Sequence, residues 1–273
     1  SGDIDEFGFP IGYGKNNQSV LIPAFISAYS GKSPESISLN AISKTPLPSW
    51  SISYSGLMNF DFIKERFKRF SLGHAYRSSY TLNNFKSNLE YNPNNTQLVD
   101  DSGNFINEFL YTNVNLVEQF NPLLKVDMEL NNSLQIVMSL KKDRALSLSL
   151  DNNLLTESSG TDYSIGLGYR IKDLKFTNRV GGKRKISKGD LNIKTDLNFR
   201  DNITIIRNLN ILDNKVTAGQ NMWSLKTSAD YNLSKSFNAI FFYDHLFSKF
   251  AISTAFPMTT IRAGMTLRYS FGE

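Results

Sequence analysis

The feature that most restricts the fold of this chain is a strict two-residue alternation of apolar and polar side chains across residues 124–171. The alternation pauses at two expected turns, Asn131-Asn132 and Lys142-Asp143. Successive side chains of a strand point to opposite faces, so this period makes one face apolar and the other polar. The pattern therefore predicts an antiparallel up-and-down meander of strands.

Two classes of all-β protein carry this alternation. A soluble sandwich buries the apolar face in a core and exposes the polar face to water. A membrane β-barrel turns the apolar face to lipid and keeps the polar face in its lumen. The periodicity by itself favours neither class.

The composition of the 273-residue chain narrows the possible functions. It contains no cysteine, which excludes a disulfide framework and a zinc site with cysteine ligands. The sequence has no apolar run of about 18 residues, which excludes a spanning helix. The mean hydropathy of -0.29 fits a barrel as well as a soluble protein, because half of each barrel strand is polar. The net charge is +5, but basic and acidic residues are interspersed, so no nucleic-acid partner is predicted.

Strand length and aromatic placement favour the membrane barrel. Several alternations run for about 9 to 11 residues, the length of a tilted strand that crosses a bilayer, whereas globular strands average about 5 to 6 residues. Aromatic residues also recur toward the predicted strand ends, where interfacial girdles would place them. These aromatic residues are Trp50, Tyr80, Tyr163, Trp223, Tyr231 and Tyr243.

A third feature is the alternation over residues 261–271, which continues to within two residues of the end of the chain. Its pattern resembles the signal by which outer-membrane barrels are recognised for assembly. An apolar edge strand with unpaired backbone N–H and C=O groups would promote aggregation in a soluble protein unless another strand paired with it. We therefore expect a transmembrane antiparallel up-and-down β-barrel. The predicted assembly signal consists of Arg262, Gly264, Leu267, Tyr269 and Phe271.

Two departures from the strand pattern shape the expected domain organisation. Residues 1–48 are rich in Gly, Ser, Asn and Pro, and Pro23 interrupts the apolar run 20–26, which predicts one edge strand packing on or in the barrel. Residues 49–273 are expected to hold the membrane strands and one short helical connection over 56–70. The helical spacing is that of Leu57, Phe60, Phe67 and Phe70.

Four segments resemble one family of barrels. They are residues 20–31 (VLIPAFISAYSG), 47–57 (LPSWSISYSGL), 74–80 (HAYRSSY) and 162–172 (DYSIGLGYRIK). Together and in this order they resemble the C-terminal part of the SprA (Sov) family, the outer-membrane translocons of the type 9 secretion system and of gliding motility. The similarity covers nearly the whole chain.

The resemblance implies a very large single-chain barrel in the outer membrane that passes folded, secreted cargo proteins to the cell surface. It also implies a PorV-like shuttle protein at a lateral opening and a plug protein at the periplasmic end. The chain begins at Ser1 without an initiator methionine or a signal sequence. We therefore expect it to be one arc of the barrel, completed by preceding sequence of the same precursor.

The alternation assigns side chains to the two faces of such a wall. A channel for folded proteins should be hydrophilic and of mixed charge, and the predicted lumen wall contains Lys125, Asp127, Glu129, Lys194, Asp196, Lys226, Asp230 and Arg268. The residues predicted to face lipid are Leu146, Leu148, Leu150 and Leu225.

Enzymatic and soluble alternatives have less support. The sequence predicts no catalytic site, metal or cofactor, because its best candidate pair, His74 with Ser78, matches no catalytic motif. One alternative is a stand-alone outer-membrane pore or adhesin of about 12 to 14 strands. Another is a secreted β-sandwich that binds glycans through Trp50 or Trp223.

Overall fold

The structure is a computed structural model that describes residues 3–4, 8–33, 37, 47–180, 183–232, 237–252 and 256–271, with the backbone alone over 176–180 and 183–187. Nine strands form one antiparallel sheet, and each strand pairs with its neighbours in sequence. The predicted all-β, up-and-down antiparallel architecture is confirmed. The sheet is open, since β1 and β9 each pair on one side within the described part of the chain.

The strands are β1 Trp50–Tyr54, β2 Phe67–Ser87, β3 Phe109–Leu130, β4 Leu134–Ser149, β5 Leu154–Val180, β6 Lys183–Asn208, β7 Asp213–Asn232, β8 Phe237–Phe250 and β9 Met258–Tyr269. The helices are α1 Gln18–Ser30, a 3-10 helix Gly56–Asn59 and α2 Asp61–Lys64. No described helix is long and apolar enough to cross a membrane.

Most strands are longer than the predicted 9 to 11 residues, because they continue beyond the apolar segments that the alternation identified. β5 has 27 residues and β6 has 26. The expected turn at Lys142-Asp143 is wrong, since both residues pair within β4. The turn at Asn131-Asn132 does separate β3 from β4.

The β2 strand continues through polar residues that the pattern indicated as a strand end. The alternation predicts that one strand ends at Leu82 and that another begins at Phe85. Instead, β2 continues through Asn84, which adopts a φ of 54° and has no partner in the register with β3. Asparagine tolerates this left-handed conformation, so the strand continues past Asn84 in the same register with β3.

Residues 20–26 form part of helix α1, so the predicted edge strand is wrong. The Asn17 side chain accepts a hydrogen bond from the Ser19 amide at the start of the helix, and Gly31 ends it with a φ of 64°. These are the preferred N-cap and C-terminal residues of helices. Pro23 removes one hydrogen bond from the helix but does not end it.

Helix α1 packs on the apolar face of the sheet near the ends of β3 and β4. Ile22 and Phe25 of the helix lie against four buried side chains of these strands, Val114, Leu116, Leu146 and Leu148. The expectation that Leu146 and Leu148 face lipid is therefore wrong, because they are 5% and 1% exposed beneath the helix. Leu150 packs against the same cluster, so it also belongs to this core.

A charged cluster continues this packing along the same face. The Glu157 carboxylate receives a hydrogen bond from Arg144 at 2.9 Å and pairs with Arg207. Burial alone would raise the pKa of Glu157, but the hydrogen bonds from Arg207 and Arg144 outweigh it and lower that pKa. The Arg144 guanidinium also lies 5.8 Å from the centre of the Tyr29 ring. Helix α1 is thus joined to the strands by apolar and polar contacts.

The helical connection is shorter than predicted. Its 3-10 helix and α2 end at Lys64, whereas Phe67 and Phe70 already belong to β2. These two rings contact each other edge to face at 5.5 Å, although they lie on a strand. Their three-residue spacing therefore did not reflect a helix.

We expect Phe25→Ala to undock α1 without unfolding the sheet, because truncation of a buried Phe costs about 3 to 5 kcal/mol. Hydrogen–deuterium exchange should become faster over residues 18–30. Ala24→Ser is the matched control, since Ala24 is exposed on the same helix. Unchanged protection of α1 in Phe25→Ala would contradict the packing described above.

Candidate functional site

The register of the nine strands divides the sheet into two chemically different faces. One face, here the polar face, collects the predicted wall residues of β3, β6, β7 and β9. The opposite, apolar face carries the alternating hydrophobic residues of every strand. The residues predicted for the wall, Lys125, Asp127, Glu129, Lys194, Asp196, Lys226, Asp230 and Arg268, all share the polar face by register.

One row of directly opposed residues shows the charge pattern of the polar face. Asp196 on β6 lies opposite Lys226 on β7, which lies opposite Asp244 on β8. Asp244 in turn pairs with Arg262 on β9, with 2.9 Å between the guanidinium and the carboxylate. Acidic and basic side chains thus alternate across four strands.

Other contacts on this face repeat the same mixture of charges. Arg69 binds Asp127 at 2.9 Å, and Arg200 lies 3.4 Å from Asp162. The Asn238 amide donates to Asp230 at 2.5 Å. The participating side chains remain partly or largely exposed. The face is therefore a hydrated surface with alternating charge rather than a buried ion-pair network.

A row of aromatic residues crosses the apolar face. Tyr163, Phe199, Trp223 and Phe247 stand directly opposite one another on β5 to β8. Toward the other edge, the Trp50 and Tyr76 rings are 4.5 Å apart, and Tyr76 and Phe120 are 4.8 Å apart. This first aromatic row lies toward the end of the sheet that carries α1 and the long loop between β2 and β3.

A second group of aromatic residues borders the same face near the opposite ends of the strands. It consists of Phe67, Tyr169, Tyr231, Phe237 and Tyr269. Between the two borders, the side chains are mainly aliphatic and remain open to their surroundings. For example, Ile165 is 41% exposed, Leu167 43% and Met265 54%. Leu225, predicted to face lipid, lies in this apolar band.

The residues of the predicted assembly signal occupy the edge strand β9 and its end. Every residue of β9 is exposed, and Phe271 is 91% exposed. Arg262 and Gly264 lie on the polar face, whereas Leu267 and Tyr269 lie on the apolar face. The signal thus lies on and just after the last strand of the described sheet, and its role in assembly stays a prediction.

Gly264 has a packing role that the sequence did not reveal. A methyl group at this position would lie 2.7 Å from Cζ of Phe242, so the aromatic ring of β8 covers the glycine of β9. Phe242 lies on the polar face, as do Ile240 and Leu246 of the same strand. The alternation of Phe237, Ala239, Phe241 and Tyr243 predicts only one apolar face for β8, so it does not reveal these side chains.

The candidate catalytic pair is not assembled. His74 and Ser78 lie four residues apart on one extended strand, a separation of about 13 Å. His74 Nδ1 instead lies 2.6 Å from the carbonyl oxygen of Leu123. Over the described ranges, no group of three or more His, Asp or Glu side chains could hold a metal ion.

No protein-family model matches the chain. No curated protein matches it. The resemblance to the type 9 translocons therefore stays a hypothesis that depends on the quoted segments.

We expect Gly264→Ala to destabilise the β8–β9 pair by about 1 to 3 kcal/mol, because the added methyl group must displace the Phe242 ring. Thermal unfolding of the purified protein measures this loss, and adding Phe242→Ala should recover part of it. Thr266→Ala, on the same face of β9, is the control. Equal unfolding temperatures for Gly264→Ala and the unmodified chain would contradict the close packing.

Proposed function

We propose that this chain forms one arc of the wall of an outer-membrane β-barrel, with its apolar face toward lipid and its polar face toward an aqueous lumen. The observation that carries the proposal is the exposed apolar band between two aromatic borders. Membrane barrels have such a band between aromatic girdles, and a polar interior on the opposite face.

The dimensions of the band support a membrane location. From Tyr163 to Tyr169 on β5, or from Phe247 to Phe237 on β8, it covers about 20 to 33 Å of strand. A strand tilt of about 40° reduces these lengths to roughly 15 to 25 Å along the membrane normal, and the longer value agrees with the apolar band of about 25 Å in known barrels.

The exposure of the apolar face argues against the sandwich alternative. In a sandwich, a second sheet packs about 10 Å away and buries that face. Among the described residues, the cluster of buried side chains on this face lies beneath α1, and this helix lies beyond the aromatic row rather than over the band. A glycan-binding sandwich would therefore leave most of its core exposed to water.

The two edges of the sheet favour an arc over a small complete pore. β1 and β9 are each unpaired on one side within the described part of the chain. Unpaired backbone groups in hydrocarbon cost several kcal/mol each, so a membrane sheet must close on further strands. We propose that the missing strands come from preceding sequence of the same precursor.

The function that best fits this wall is the passage of folded cargo proteins through the lumen. A surface with alternating charges and little continuous apolar area would bind no single cargo sequence tightly. The resemblance to the type 9 translocons is the reason to propose type 9 secretion in particular. It also implies a PorV-like shuttle, a periplasmic plug protein and a link to gliding motility.

Single-cysteine labelling tests the orientation of the wall, since the chain has no cysteine of its own. Ser164→Cys and Ile165→Cys are adjacent on β5 and point to opposite faces. In intact membranes, a water-soluble maleimide should modify position 164 and leave position 165 largely unmodified, because thiols react as thiolates, which form in water and not in hydrocarbon.

Denatured samples of both variants should label equally, which controls for expression and thiol chemistry. If both positions react at the same rate in intact membranes, or if the protein is extracted by carbonate without detergent, the membrane wall is wrong.

A stalled cargo tests the translocon separately. A photo-reactive residue at Ser228, on the polar face of β7, should form adducts with a secreted protein whose folded domain is too large to leave. The same residue at Leu225, on the apolar face of that strand, should not. If the cysteine variants label as expected but no cargo adduct forms, the proposed membrane wall stands and the proposed translocon function is wrong.

A further inference from the structure

The ends of β5 and β6 form a hairpin that extends past the neighbouring strands. In the described part of the chain, β4 pairs with β5 only as far as Tyr169, and β7 pairs with β6 only as far as Leu191. β5 and β6 continue to pair with each other as far as Val180 and Lys183. Two strands therefore project together from one end of the sheet.

This hairpin carries as much net charge as the whole protein. We call its residues, 172–180 and 183–190, the basic hairpin. It contains two acidic and seven basic residues, so its net charge is +5, which is also the net charge of the entire chain. The remaining residues are therefore neutral as a group. The seven basic residues are Lys172, Lys175, Arg179, Lys183, Arg184, Lys185 and Lys188.

Two pairs of like charges lie directly opposite each other in the basic hairpin. Lys175 pairs with Lys188 in the register, and Arg179 pairs with Arg184. Directly opposed like charges destabilise a strand pair. The row of charges across β6 to β9 has the reverse arrangement, with acidic residues opposite basic ones. Positive charge thus accumulates in the hairpin, whereas it alternates with negative charge along that row.

The acidic residues of the hairpin leave much of this charge uncompensated. Asp190 binds Arg170, which precedes the hairpin, with 2.5 Å between the guanidinium and the carboxylate. Asp173 is the other acidic residue of the hairpin. Lys175 and Lys188 are exposed, and neither has an ion pair among the described residues. An anionic group of another molecule can therefore reach both lysines.

The two like-charge pairs continue the polar face of the sheet. The irregularity between β5 and β6 adds its extra residue to β5, between Ile171 and Leu174, so the alternation of β6 is unbroken there. Along β6, Arg184 and Lys188 have the same alternation as Lys194, which lies on the polar face. Both pairs therefore belong to the lumen side of the proposed wall.

The basic hairpin lies at the periplasmic end of this wall. Membrane barrels have short periplasmic turns and longer extracellular loops. Residues 131–133 connect β3 to β4 at the end that carries the hairpin, whereas residues 88–108 connect β2 to β3 at the opposite end. The hairpin thus stands where a cargo protein would enter the lumen.

The length of the hairpin separates its tip from the lipid headgroups. Arg184 lies about 23 Å along β6 from Leu191, which stands opposite Tyr231 of the second aromatic border. A strand tilt of about 40° reduces this distance to roughly 18 Å along the membrane normal. The headgroup region is about 5 to 8 Å thick. The Arg179–Arg184 pair is therefore about 10 Å beyond the headgroups, which exceeds the Debye length of about 8 Å at physiological salt.

We propose that the basic hairpin attracts acidic segments of cargo proteins as they enter the lumen from the periplasm. This inference rests on the proposed function, because it requires both the membrane wall and a cargo path along its polar face. The carboxylates of a passing segment relieve the repulsion within the two like-charge pairs. Exposed ion pairs are weak and screened by salt, so the hairpin raises the rate of capture without holding the cargo.

Peptide binding to the full barrel, purified in detergent, tests the charge preference. The probes are a fluorescent peptide with six glutamates and a matched peptide with six glutamines. We expect Lys175→Gln combined with Lys188→Gln to lower the affinity for the glutamate peptide about three- to tenfold, the effect of two exposed ion pairs. These substitutions remove a repulsion, so the hairpin should stay folded. Lys141→Gln with Lys226→Gln removes the same charge elsewhere on the polar face and should leave the affinity unchanged.

Photo-crosslinking in the native membrane tests the occupant. The probe is p-benzoylphenylalanine at Thr177, which lies between the two like-charge pairs along β5. A stalled cargo with a tail of six glutamates should form an adduct at this position. The same cargo with a tail of six glutamines should form at least about threefold less, because it lacks the charges that the hairpin attracts.

Equal affinity for the two peptides, equal effects of the two double variants, lipid adducts alone at position 177, or an adduct with a resident protein that persists without cargo would each overturn the proposal. The probe at Ser228 distinguishes the possible failures. If cargo forms an adduct at Ser228 but not at Thr177, only the hairpin proposal is wrong. If it forms none at Ser228, the translocon function is wrong, and the cysteine labelling decides whether the membrane wall stands.

Discussion

The structure depends on residue-by-residue pairing of consecutive strands. From β2 to β9, the backbone ladder is continuous apart from a few bulges. Side chains on the same face of neighbouring strands therefore form rows across the sheet. A shift of one residue in any pair would turn that strand's apolar side chains to the polar face. The ladder therefore creates both the charged row through Asp196 and Lys226 and the aromatic row through Phe199 and Trp223.

The apolar face has two parts that differ in what covers them. Near the long loops, Val114 and Leu148 are buried beneath α1, and Glu157 is held between two arginines. Beyond the aromatic row, chemically similar residues such as Leu167 remain exposed. A water-soluble protein would gain about 25 cal/mol for each Å² of this band that it buried. In our proposal, the exposed part contacts lipid, and the part that α1 covers lies outside the bilayer.

The polar face contributes surface chemistry more than stability. Its ion pairs, such as Arg262 with Asp244, have largely exposed guanidinium groups, and exposed pairs stabilise a protein by only about 0.2 to 1 kcal/mol. Their neighbours neutralise each charge locally, so the surface stays hydrated without a strong field of one sign. That property suits a channel wall that many different proteins pass.

The sequence by itself determined the strand meander and the membership of each face, since a period of two has only one structural meaning in a strand. Lys125 and Asp127 could thus be placed on the polar face without coordinates. The helix at residues 18–30 was also readable from Asn17 and Gly31, but the proline obscured it. Only the tertiary structure decided which leucines are exposed, because α1 covers Leu148 from more than a hundred residues away in the chain.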